Sequence, residues 1–403
     1  MSAPAHSEAG ELIFLVAGEP SGDQLGARLM AALKNEGGPA IRFAGIGGEQ
    51  MAEEGLKSVF PMTELSVTGI VEVMLHLPRI FRRIGDTVQA VLKCQPDVVV
   101  TIDSPDFSLK VAERLKGHGI PLIHYVAPTV WAWKPWRARK MASFLDRVLA
   151  LLPFEPPYFE VHGLSCDFVG HPAVEGASGG DGQGFRERYG IPMTAPLICA
   201  LPGSRRGETA RLLPVFIKAL TQLNERVPGL HVAVPTVSTV ADLIEEAVSA
   251  LPMPVTVVRR RDEKYDVYAA ADVALAKSGT ALIELAAAGV PTVVTHRVNP
   301  LTAFMVRRMV SLDNVSFVNI LLGRPMQPEL LQENCRPEKL ATAVERMLSD
   351  SEWRAEQIEG ERHVAEMLGI DGEPPSRRAA RAVLNVIRSR NDRSAGPVLE
   401  KDG

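Results

Sequence analysis

The amino-acid sequence predicts two successive doubly wound α/β domains, and three observations support this. Short apolar runs rich in β-branched residues alternate with helical patterns. A run that is apolar at every position indicates a strand buried on both faces, as in a parallel sheet covered by helices. A Gly-, Ser- and Asp-rich segment at residues 173–184 interrupts the alternation, which then restarts. The length of 403 residues also suits two domains better than one core.

The first domain is predicted over residues 10–178. Helical patterns, for example at residues 25–34 and 112–116, separate its strands. The predicted strands are residues 12–16, 41–44, 98–102, 122–126, 147–151 and 166–169. Residues 173–184 have the composition of a linker, which places the domain boundary near residue 180.

The second domain is predicted over residues 185–350, with helices that include residues 212–225 and 281–288. Residues 351–390 are expected to form C-terminal helices and residues 391–403 a polar tail. Ligands of such sheets bind beyond the carboxyl ends of the strands, so we expect the site there and between the two domains. The predicted strands are residues 197–201, 231–234, 255–258, 273–276 and 292–295.

Composition excludes several classes of protein. Lys plus Arg number 44 and Asp plus Glu 48, and a net charge of −4 argues against a nucleic-acid-binding protein. No stretch of about 20 apolar residues predicts a spanning helix, and an acidic residue precedes the first apolar run, which argues against a secretory signal. Membrane contact is therefore expected to be peripheral. Four widely spaced cysteines predict reduced thiols in a cytoplasmic protein: Cys94, Cys166, Cys199 and Cys335.

Residues 16–23 (VAGEPSGD) follow the first strand and open a helix. Two glycines allow a tight turn, Ser21 or Asp23 can cap the helix, and free backbone N–H groups favour an anionic or polyol ligand. The glycine spacing differs from the dinucleotide fingerprint, and ordinary turn chemistry explains the residues equally well. The candidate acceptor-site residues here are Glu19, Ser21, Gly22 and Asp23.

Residues 101–107 (TIDSPDF) end the third strand and contain two candidate bases. Ser104 followed by Pro105 predicts a helix N-cap, which accounts for Asp106 in the first helical turn. Asp103 lies at the strand's carboxyl end and is not needed for capping. A carboxylate at that position can act as general base on a hydroxyl. Asp103 is favoured, and mutagenesis has to decide between Asp103 and Asp106.

Residues 201–208 (LPGSRRGE) follow the first strand of the second domain and predict an anion site. The turn opens a helix, so its backbone N–H groups and its two arginines, Arg205 and Arg206, suit phosphate oxygens. Solvated arginines on an ordinary turn are the alternative. No Asp-x-Asp pair occurs in the chain, so we expect no metal and no cofactor, and arginine must stabilise a leaving diphosphate.

Residues 277–284 (KSGTALIE) predict a second phosphate-binding turn. Ser278, Gly279 and Thr280 precede a helix, and Glu284 follows one turn later in an apolar stretch. A buried carboxylate needs a partner. No basic residue lies one turn away, so a ribose diol is favoured over an ion pair.

Two further segments combine apolar and basic residues. Residues 124–136 (HYVAPTVWAWKPW) hold three of the four tryptophans, and His124, Trp131 and Trp133 are candidates to line a cleft for a sugar or an acyl chain. Residues 67–83 suit an interfacial helix on anionic lipid, although a core helix with a solvated basic end explains them better. The candidate membrane residues are Val67, Ile70, Met74, Leu77, Arg79, Phe81, Arg82 and Arg83.

Several of these motifs occur in a shared order with a known family. GEPSGD, SVTGIVEV, DSPDF, HYVAPTVWAWKPWR, LLPFE, FVGHP, LPGSRRGE, SGTALIE and VSFVNILLGR run from about residue 12 to residue 335. In this respect the chain resembles lipid-A-disaccharide synthases. Pro20, where many members have Ala, and a longer N-terminal lead are departures. The resemblance implies two Rossmann-like domains facing a cleft, in a GT-B-like architecture.

The resemblance also implies a reaction. UDP-2,3-diacylglucosamine condenses with 2,3-diacylglucosamine 1-phosphate, with inversion, to a β-1,6-linked disaccharide 1-phosphate and UDP. It implies Asp103 as general base, Arg205 at the UDP phosphates, and a nucleotide loop of Ser278, Gly279, Thr280 and Glu284. Asn319 matches an asparagine linked to UDP binding. Members are peripheral on the inner face of the inner membrane of Gram-negative bacteria, and are homodimers with exchanged C-terminal segments.

Two alternatives stay open at this point. A UDP-sugar epimerase shares the architecture but needs neither the Trp-rich segment nor the apolar, basic helix. A catalytically silent UDP-sugar- or lipid-binding protein would need no base at the end of the third strand, so Asp103 argues weakly against it.

Overall fold

The computed structural model describes residues 10–65, 70–299 and 314–394. The chain divides into two compact units, Met1–Pro172 with Glu373–Gly403, and Ala173–Gly372. Each unit contains one six-stranded sheet in which all neighbouring strands are parallel. The prediction of two Rossmann-like domains is therefore confirmed.

The first unit contains strands β1–β6 and helices α1–α6. The strands are β1 (Leu12–Ala17), β2 (Arg42–Ile46), β3 (Val98–Ile102), β4 (Leu122–Tyr125), β5 (Arg147–Ala150) and β6 (Ser165–Phe168). The helices are α1 (Pro20–Gly37), α2 (Glu49–Glu53), α3 (Ile70–Cys94), α4 (Pro105–Leu115), α5 (Trp136–Met141) and α6 (Pro157–Glu160).

The sheet of the first unit has the order β2-β1-β3-β4-β5-β6. Successive β1 side chains enter opposite faces: Ile13 and Leu15 pack in one core, and Phe14 and Val16 in the other. This burial on both faces explains why the strand is a continuous apolar run. The chain leaves β1 towards β2 on one side and returns to β3 on the other, so the strand order reverses between β1 and β3.

The second unit repeats the architecture with strands β7–β12 and helices α7–α14. The strands are β7 (Leu197–Leu201), β8 (His231–Pro235), β9 (Val255–Val258), β10 (Val273–Lys277), β11 (Thr292–His296) and β12 (Glu329–Leu331). The helices are α7 (Gly182–Arg188), α8 (Arg206–Asn224), α9 (Ala241–Val248), α10 (Lys264–Ala270), α11 (Ala281–Ala287), α12 (Phe317–Leu322), α13 (Pro337–Ser349) and α14 (Ser351–Met367). The order is β12-β11-β10-β7-β8-β9, which reverses between β7 and β10.

The structure moves the predicted boundary between the two domains. The first unit ends at Pro172 rather than near residue 180. Residues 173–184 are not a loose linker, because Ala173, Val174 and Ala177 are buried in the second unit. The high Gly, Ser and Asp content of this segment predicted a linker, although its few small apolar residues are buried.

Residues 351–390 were predicted as a separate segment of C-terminal helices, but the structure divides these helices between the two units. Helix α14 belongs to the second unit, whereas α15 (Pro375–Ser394) belongs to the first and packs against α1. Val383, Leu384 and Ile387 join one core of the first unit. Helix α15 also extends into the predicted tail; residues 395–403 lie outside the described residues. No helix in the described ranges is long and apolar enough to cross a bilayer.

Candidate active site

The end of β3 in the first unit holds the candidate base. Ser21, in the first turn of α1, donates its hydroxyl to Asp103 Oδ2 at 2.9 Å. This bond joins the segments that follow β1 and β3, where the strand order reverses. A Cβ on Gly22 would lie 3.3 Å from the Ile102 carbonyl oxygen, so a small residue allows this close approach. Ser21, Gly22 and Asp103 therefore lie together at the end of the sheet where the strand order reverses.

The backbone around Asp103 is strained. Asp103 and Ser104 have φ values of +51° and +45°, and Val126, which follows β4, has φ +79°. A β-branched residue at positive φ is a genuine outlier, and such strain concentrates at functional sites. The Asp103 N–H donates to the Tyr125 carbonyl at 3.0 Å, which ties the two strained strand ends together. The neighbouring strand thus fixes the position of the Asp103 carboxylate.

Asp106 has a different environment from Asp103. Its side chain is 88% exposed and pairs with Arg137 at 3.0 Å. Asp106 lies in the first turn of α4 as predicted, but Ser104 makes no side-chain capping bond because its backbone is left-handed. The Asp106 carboxylate therefore faces solvent beside a guanidinium, whereas Asp103 is bonded to a neutral hydroxyl where the strand order reverses. The geometry favours Asp103 as the base.

Asp23 is a structural residue rather than an acceptor ligand. It is buried and accepts hydrogen bonds from the backbone N–H groups of Gly48, Gln50 and Met51 at 2.7, 3.1 and 3.1 Å. These bonds fix the start of α2 and occupy both carboxylate oxygens. The prediction of Asp23 as an acceptor-site residue is therefore wrong. Glu19 is half-buried at the N-cap of α1 and makes no side-chain capping bond.

His124 does not line a surface. The ring is fully buried, and Nδ1 lies 2.9 Å from the Thr101 hydroxyl. Burial lowers the pKa of His124 to about 3, so the ring is neutral at physiological pH. The expectation that His124 contacts a ligand is wrong, because strand β4 directs it into the core.

Trp131 is hydrogen-bonded to Glu155, which the sequence analysis did not identify. Its half-buried indole donates Nε1–H to Glu155 Oε1 at 3.2 Å, and Glu155 Oε2 accepts from the Leu152 N–H at 3.0 Å. Burial raises the pKa of Glu155 to about 7, against the lowering effect of these bonds. Trp131 also contacts the Phe154 ring edge-on, with centroids 5.1 Å apart. A lone glutamate in the apolar motif LLPFE was the available signal.

An open apolar groove lies beside the Trp-rich segment of the first unit. It has a volume of about 310 Å³ and follows the ends of β4 and β5. Trp136 and Val161 are exposed next to it, and Trp133 is half-buried under the Lys134 ammonium, 5.0 Å from the ring centroid. The lining residues are Val130, Pro135, Ala138, Pro157, Tyr158, Val161 and His162.

Helix α3 changes character along its length. Leu77 and Phe81 are 37% and 46% exposed, whereas Ile84, Val88 and Val91 are buried. The second half of the helix is therefore core, and these two side chains of the first half are exposed, contrary to the core alternative. Val67 lies outside the described residues, as do the side chains of Ile70 and Met74.

The arginines of α3 are not equivalent. Arg79 is exposed, and the Arg82 side chain is 74% exposed, 3.9 Å from Asp86. Arg83 is mostly covered: it donates to Glu64 at 2.8 Å and to Asp86 at 2.8 Å. The prediction of Arg83 as a membrane residue is wrong, because two carboxylates already bind its guanidinium.

The end of β7 in the second unit is rich in cations. Arg205 forms the N-cap of α8, is 61% exposed and lies 3.5 Å from Glu208 Oε1. The other oxygen of Glu208 accepts from Lys277 Nζ at 3.0 Å, which joins the ends of β7 and β10. Burial acts to raise the pKa of Glu208, but Lys277 and Arg205 together lower it. Sequence reasoning missed Lys277, although it begins the KSGT motif.

The Ser278–Thr280 turn follows β10 as predicted, but one of its N–H groups is engaged. The Ser278 N–H donates to the Thr295 carbonyl at 2.9 Å, so it cannot also bind phosphate as expected. The buried Ser278 hydroxyl lies 2.8 Å from His296 Nδ1, and Thr280 is exposed at the start of α11. Burial, then the Lys277 charge, lowers the pKa of His296.

Glu284 is one half of an ion pair. Its Oε1 accepts from Lys264 Nζ at 2.8 Å, and its Oε2 from the Tyr268 hydroxyl at 3.3 Å. The expectation that Glu284 has no basic partner is wrong. Both partners come from α10, so no local spacing along α11 reveals them.

Asn319 makes its hydrogen bonds within the protein. Its Nδ2 donates to the Gln327 carbonyl and to Glu329, at 2.9 and 2.8 Å. Its Oδ1 accepts from the Met326 and Gln327 N–H groups at 2.8 and 2.7 Å. All four bonding positions of the amide are used. In the structure Asn319 fixes the segment before β12, and its link to UDP binding stays a prediction from the resemblance.

No group of three or more His, Cys, Asp or Glu side chains suited to a metal ion occurs within residues 10–65, 70–299 and 314–394. Arg205 and Lys277 place positive charge at this strand end. Their chemistry suits an anionic ligand such as a diphosphate.

Solved structures similar to this chain share its fold. The UDP complex of S. aureus MnaA aligns with a TM-score of 0.65 at 12% identity, over 95% of this chain and 97% of the other. UDP-GlcNAc 2-epimerase from Neisseria meningitidis, bound to UDP-GlcNAc, gives 0.62 at 10%, over 94% and 100%. MurG from Acinetobacter baumannii gives 0.58 at 14%, over 94% and 99%. At these identities the likeness establishes the fold and does not separate epimerase from transferase.

Sequence relatives do separate these classes. The model of the family described as Lipid-A-disaccharide synthetase matches residues 13–383. Lipid-A-disaccharide synthase of Rhodospirillum centenum is 53% identical over 382 residues, which is 94% of this chain and 95% of that protein. The synthase of Paramagnetospirillum magneticum is 51% identical over 390 residues, 96% of this chain and 100% of that protein. The chain therefore belongs to the lipid-A-disaccharide synthase family.

Proposed function

We propose that this chain is an inverting glycosyltransferase that joins UDP-2,3-diacylglucosamine to 2,3-diacylglucosamine 1-phosphate. The products are the β-1,6-linked disaccharide 1-phosphate and UDP. Family membership supports the reaction. The observation that supports the chemistry is the strained, hydroxyl-bonded Asp103 at the end of β3. A silent binding protein has no need of such a carboxylate.

In this mechanism Asp103 accepts the proton of the acceptor's 6-hydroxyl as that oxygen attacks the donor's anomeric carbon. The new O–C bond forms on the face opposite the diphosphate. The bond from the anomeric carbon to the diphosphate oxygen breaks, and its electron pair leaves with UDP. The 2.9 Å bond from Ser21 fixes the orientation of the Asp103 carboxylate, so that the proton transfer needs little rearrangement.

Donor binding is assigned to the second unit. Arg205 binds the diphosphate and stabilises the charge that develops on it. The Ser278 hydroxyl and the N–H groups of Gly279 and Thr280 contribute further donors. Glu284 binds the ribose diol while Lys264 neutralises its charge. UDP-sugar is a substrate here, and no metal or cofactor is part of the proposal.

The acyl chains of both substrates require a lipid surface. We assign peripheral binding on the inner face of the inner membrane, with Leu77, Phe81, Arg79 and Arg82 of α3 as contacts. The exposure of Leu77 and Phe81 supports this assignment. A homodimer is proposed from the family resemblance, and light scattering on the purified protein tests it.

The test is a reconstitution. Purified protein is incubated with both diacylglucosamine substrates in detergent micelles, and the products are separated by chromatography and identified by mass. We expect a disaccharide phosphate and one UDP for each disaccharide. Conversion of UDP-GlcNAc alone to its 2-epimer, without a disaccharide, would contradict the proposal and support the epimerase alternative.

A further inference from the structure

Lys277 is placed against the turn that follows β10. Its side chain is 17% exposed, and its ammonium is 3.0 Å from Glu208 Oε2. A Cβ built on Gly279 would lie 3.9 Å from Lys277 Nζ, the nearest atom beyond its chain neighbours in the described structure. The ammonium therefore lies beside the glycine of the SGT turn.

Positively charged side chains cluster around Lys277. Glu208 lies 3.0 Å from Lys277 and 3.5 Å from Arg205, so two cations contact the same carboxylate. Arg211, from the same helix as Glu208, adds a third positive charge, which acts on His296 as Lys277 does. A cluster of cations at a strand end favours a ligand with more than one negative charge.

We propose that Lys277 is a further donor-site residue whose ammonium binds the diphosphate of the UDP-sugar, in competition with Glu208. This inference rests on the proposed function. Lysine suits the role because its ammonium is a compact charge on a flexible stem and can turn from one anion to another. Arg205 is largely exposed on α8, whereas Lys277 reaches the diphosphate from β10, so the two cations approach from different elements.

A merely structural ion pair makes a different prediction. If the pair serves to join β10 to α8, the loss of either partner harms the site equally. If Glu208 competes with the diphosphate, its removal frees Lys277 and strengthens binding. The two single variants then have effects of opposite sign on UDP and no effect on uridine, which lacks the phosphates.

The experiment measures binding of UDP by calorimetry and of uridine by nuclear magnetic resonance titration, at one fixed salt concentration. Lys277→Met, which keeps the length of the side chain, should weaken UDP binding roughly 10- to 100-fold, as expected for a lost charge-assisted hydrogen bond. Uridine binding should stay at the wild-type level. Glu208→Gln should tighten UDP binding. Lys218→Met, an exposed position on α8, is the charge-matched control and should behave as wild type.

Three results would overturn the inference. They are wild-type UDP affinity in Lys277→Met, an equal loss of UDP and uridine binding, and weaker UDP binding in Glu208→Gln. The UDP affinity of Glu208→Gln tests the inference even if Lys277→Met does not fold. Normal disaccharide synthesis with unchanged UDP affinity in Lys277→Met rejects this role and leaves the proposed function intact. A wild-type protein that binds no UDP rejects both.

Discussion

The two units place polar residues at equivalent points of their sheets, and the chemistry there is opposite. In the first unit Ser21 bonds Asp103 between the segments that follow β1 and β3. In the second unit Lys277 pairs with Glu208 between those that follow β7 and β10, next to Arg205. One strand end offers a carboxylate and the other a cluster of cations. In the proposed function the same topology therefore serves proton abstraction in one unit and anion binding in the other.

The two strand ends also differ in backbone strain. Non-glycine residues take positive φ at Asp103, Ser104 and Val126 in the first unit. In the second unit the turn after β10, which is the counterpart of the Asp103 turn, has no positive φ at residues 278–280. The turn after β7 places its positive φ, +131°, at Gly203, where a glycine bears no such cost. A base must be held at one position relative to a hydroxyl, whereas long basic side chains adapt to a diphosphate. The difference predicts that small changes harm the first site more.

The largest effect is expected at Asp103. Asp103→Asn should reduce turnover by about 10²–10⁴-fold, the usual contribution of a general base, and leave UDP affinity unchanged. Steady-state kinetics and calorimetry measure the two quantities. Asp106→Asn is the matched control, since its exposed carboxylate pairs with Arg137. Near-normal turnover in Asp103→Asn with a loss in Asp106→Asn would move the base to Asp106.

The next effect is expected at Arg205 in the second unit. Arg205→Ala should lower kcat by about 10²-fold and weaken donor binding, because the guanidinium binds charge that grows in the transition state. Arg205→Lys should restore part of the activity, since it keeps the charge but lacks the planar fork. Full activity of Arg205→Ala would transfer this role to Arg206 or to a metal ion.

A smaller effect is expected at the surface of the first unit. Burial of Leu77 and Phe81 in a lipid boundary contributes about 1.5–3 kcal/mol per side chain, so each change to Ser should weaken vesicle binding at least about tenfold. Arg79→Glu with Arg82→Glu should release the protein from anionic vesicles. Co-sedimentation measures both, with UDP binding as the check on folding. Undiminished binding would place the lipid contact elsewhere, with the groove beside Trp136 the next region to test.

Much of the fold could be predicted because it depends on local patterns. The strands at Val98–Ile102 and Leu197–Leu201 have the predicted bounds, since they are apolar at nearly every position. Strand β12 was missed because it is short and begins with Glu329. The position of α15 could not be predicted because it depends on contacts with α1, which is far away in sequence. One of these contacts is the ion pair between Arg381 and Glu36, at 2.7 Å.

The site was predicted less completely, because partners distant in sequence determine roles. The positions of Asp103 and Arg205 at strand ends could be predicted, and their roles stay predictions. The Lys264 partner of Glu284, the three N–H groups that hold Asp23, and the saturation of Asn319 are long-range contacts. No local spacing encodes them, and residues that look free in the sequence are occupied in the fold.

The pH dependence of stability tests the anchoring of Trp131 in the first unit. Burial raises the pKa of Glu155 from 4.5 to about 7, so between those values the folded state binds more protons than the unfolded state. The free energy of unfolding should therefore fall as pH rises through this window, by at most about 1.4 kcal/mol per pH unit. Glu155→Gln should reduce that slope and leave the part due to Glu361, whose pKa burial raises to about 8. Denaturant unfolding at several pH values checks this, and an identical slope in both proteins would contradict it.

The smallest effect is expected from removal of divalent metal ions. A leaving diphosphate needs positive charge, and in the proposed function Arg205 and Lys277 of the second unit supply it. The sequence has no Asp-x-Asp pair that would hold a metal ion for this purpose. Turnover should therefore be unchanged in EDTA, in an assay with detergent-dispersed substrates. Arg205→Ala gives a second test. If side chains rather than a metal ion stabilise the leaving diphosphate, added Mg²⁺ should not restore the activity of this variant. Loss of wild-type activity in EDTA, recovered with Mg²⁺ or Mn²⁺, would show that a metal ion contributes to the stabilisation of the diphosphate that is assigned to Arg205 and Lys277.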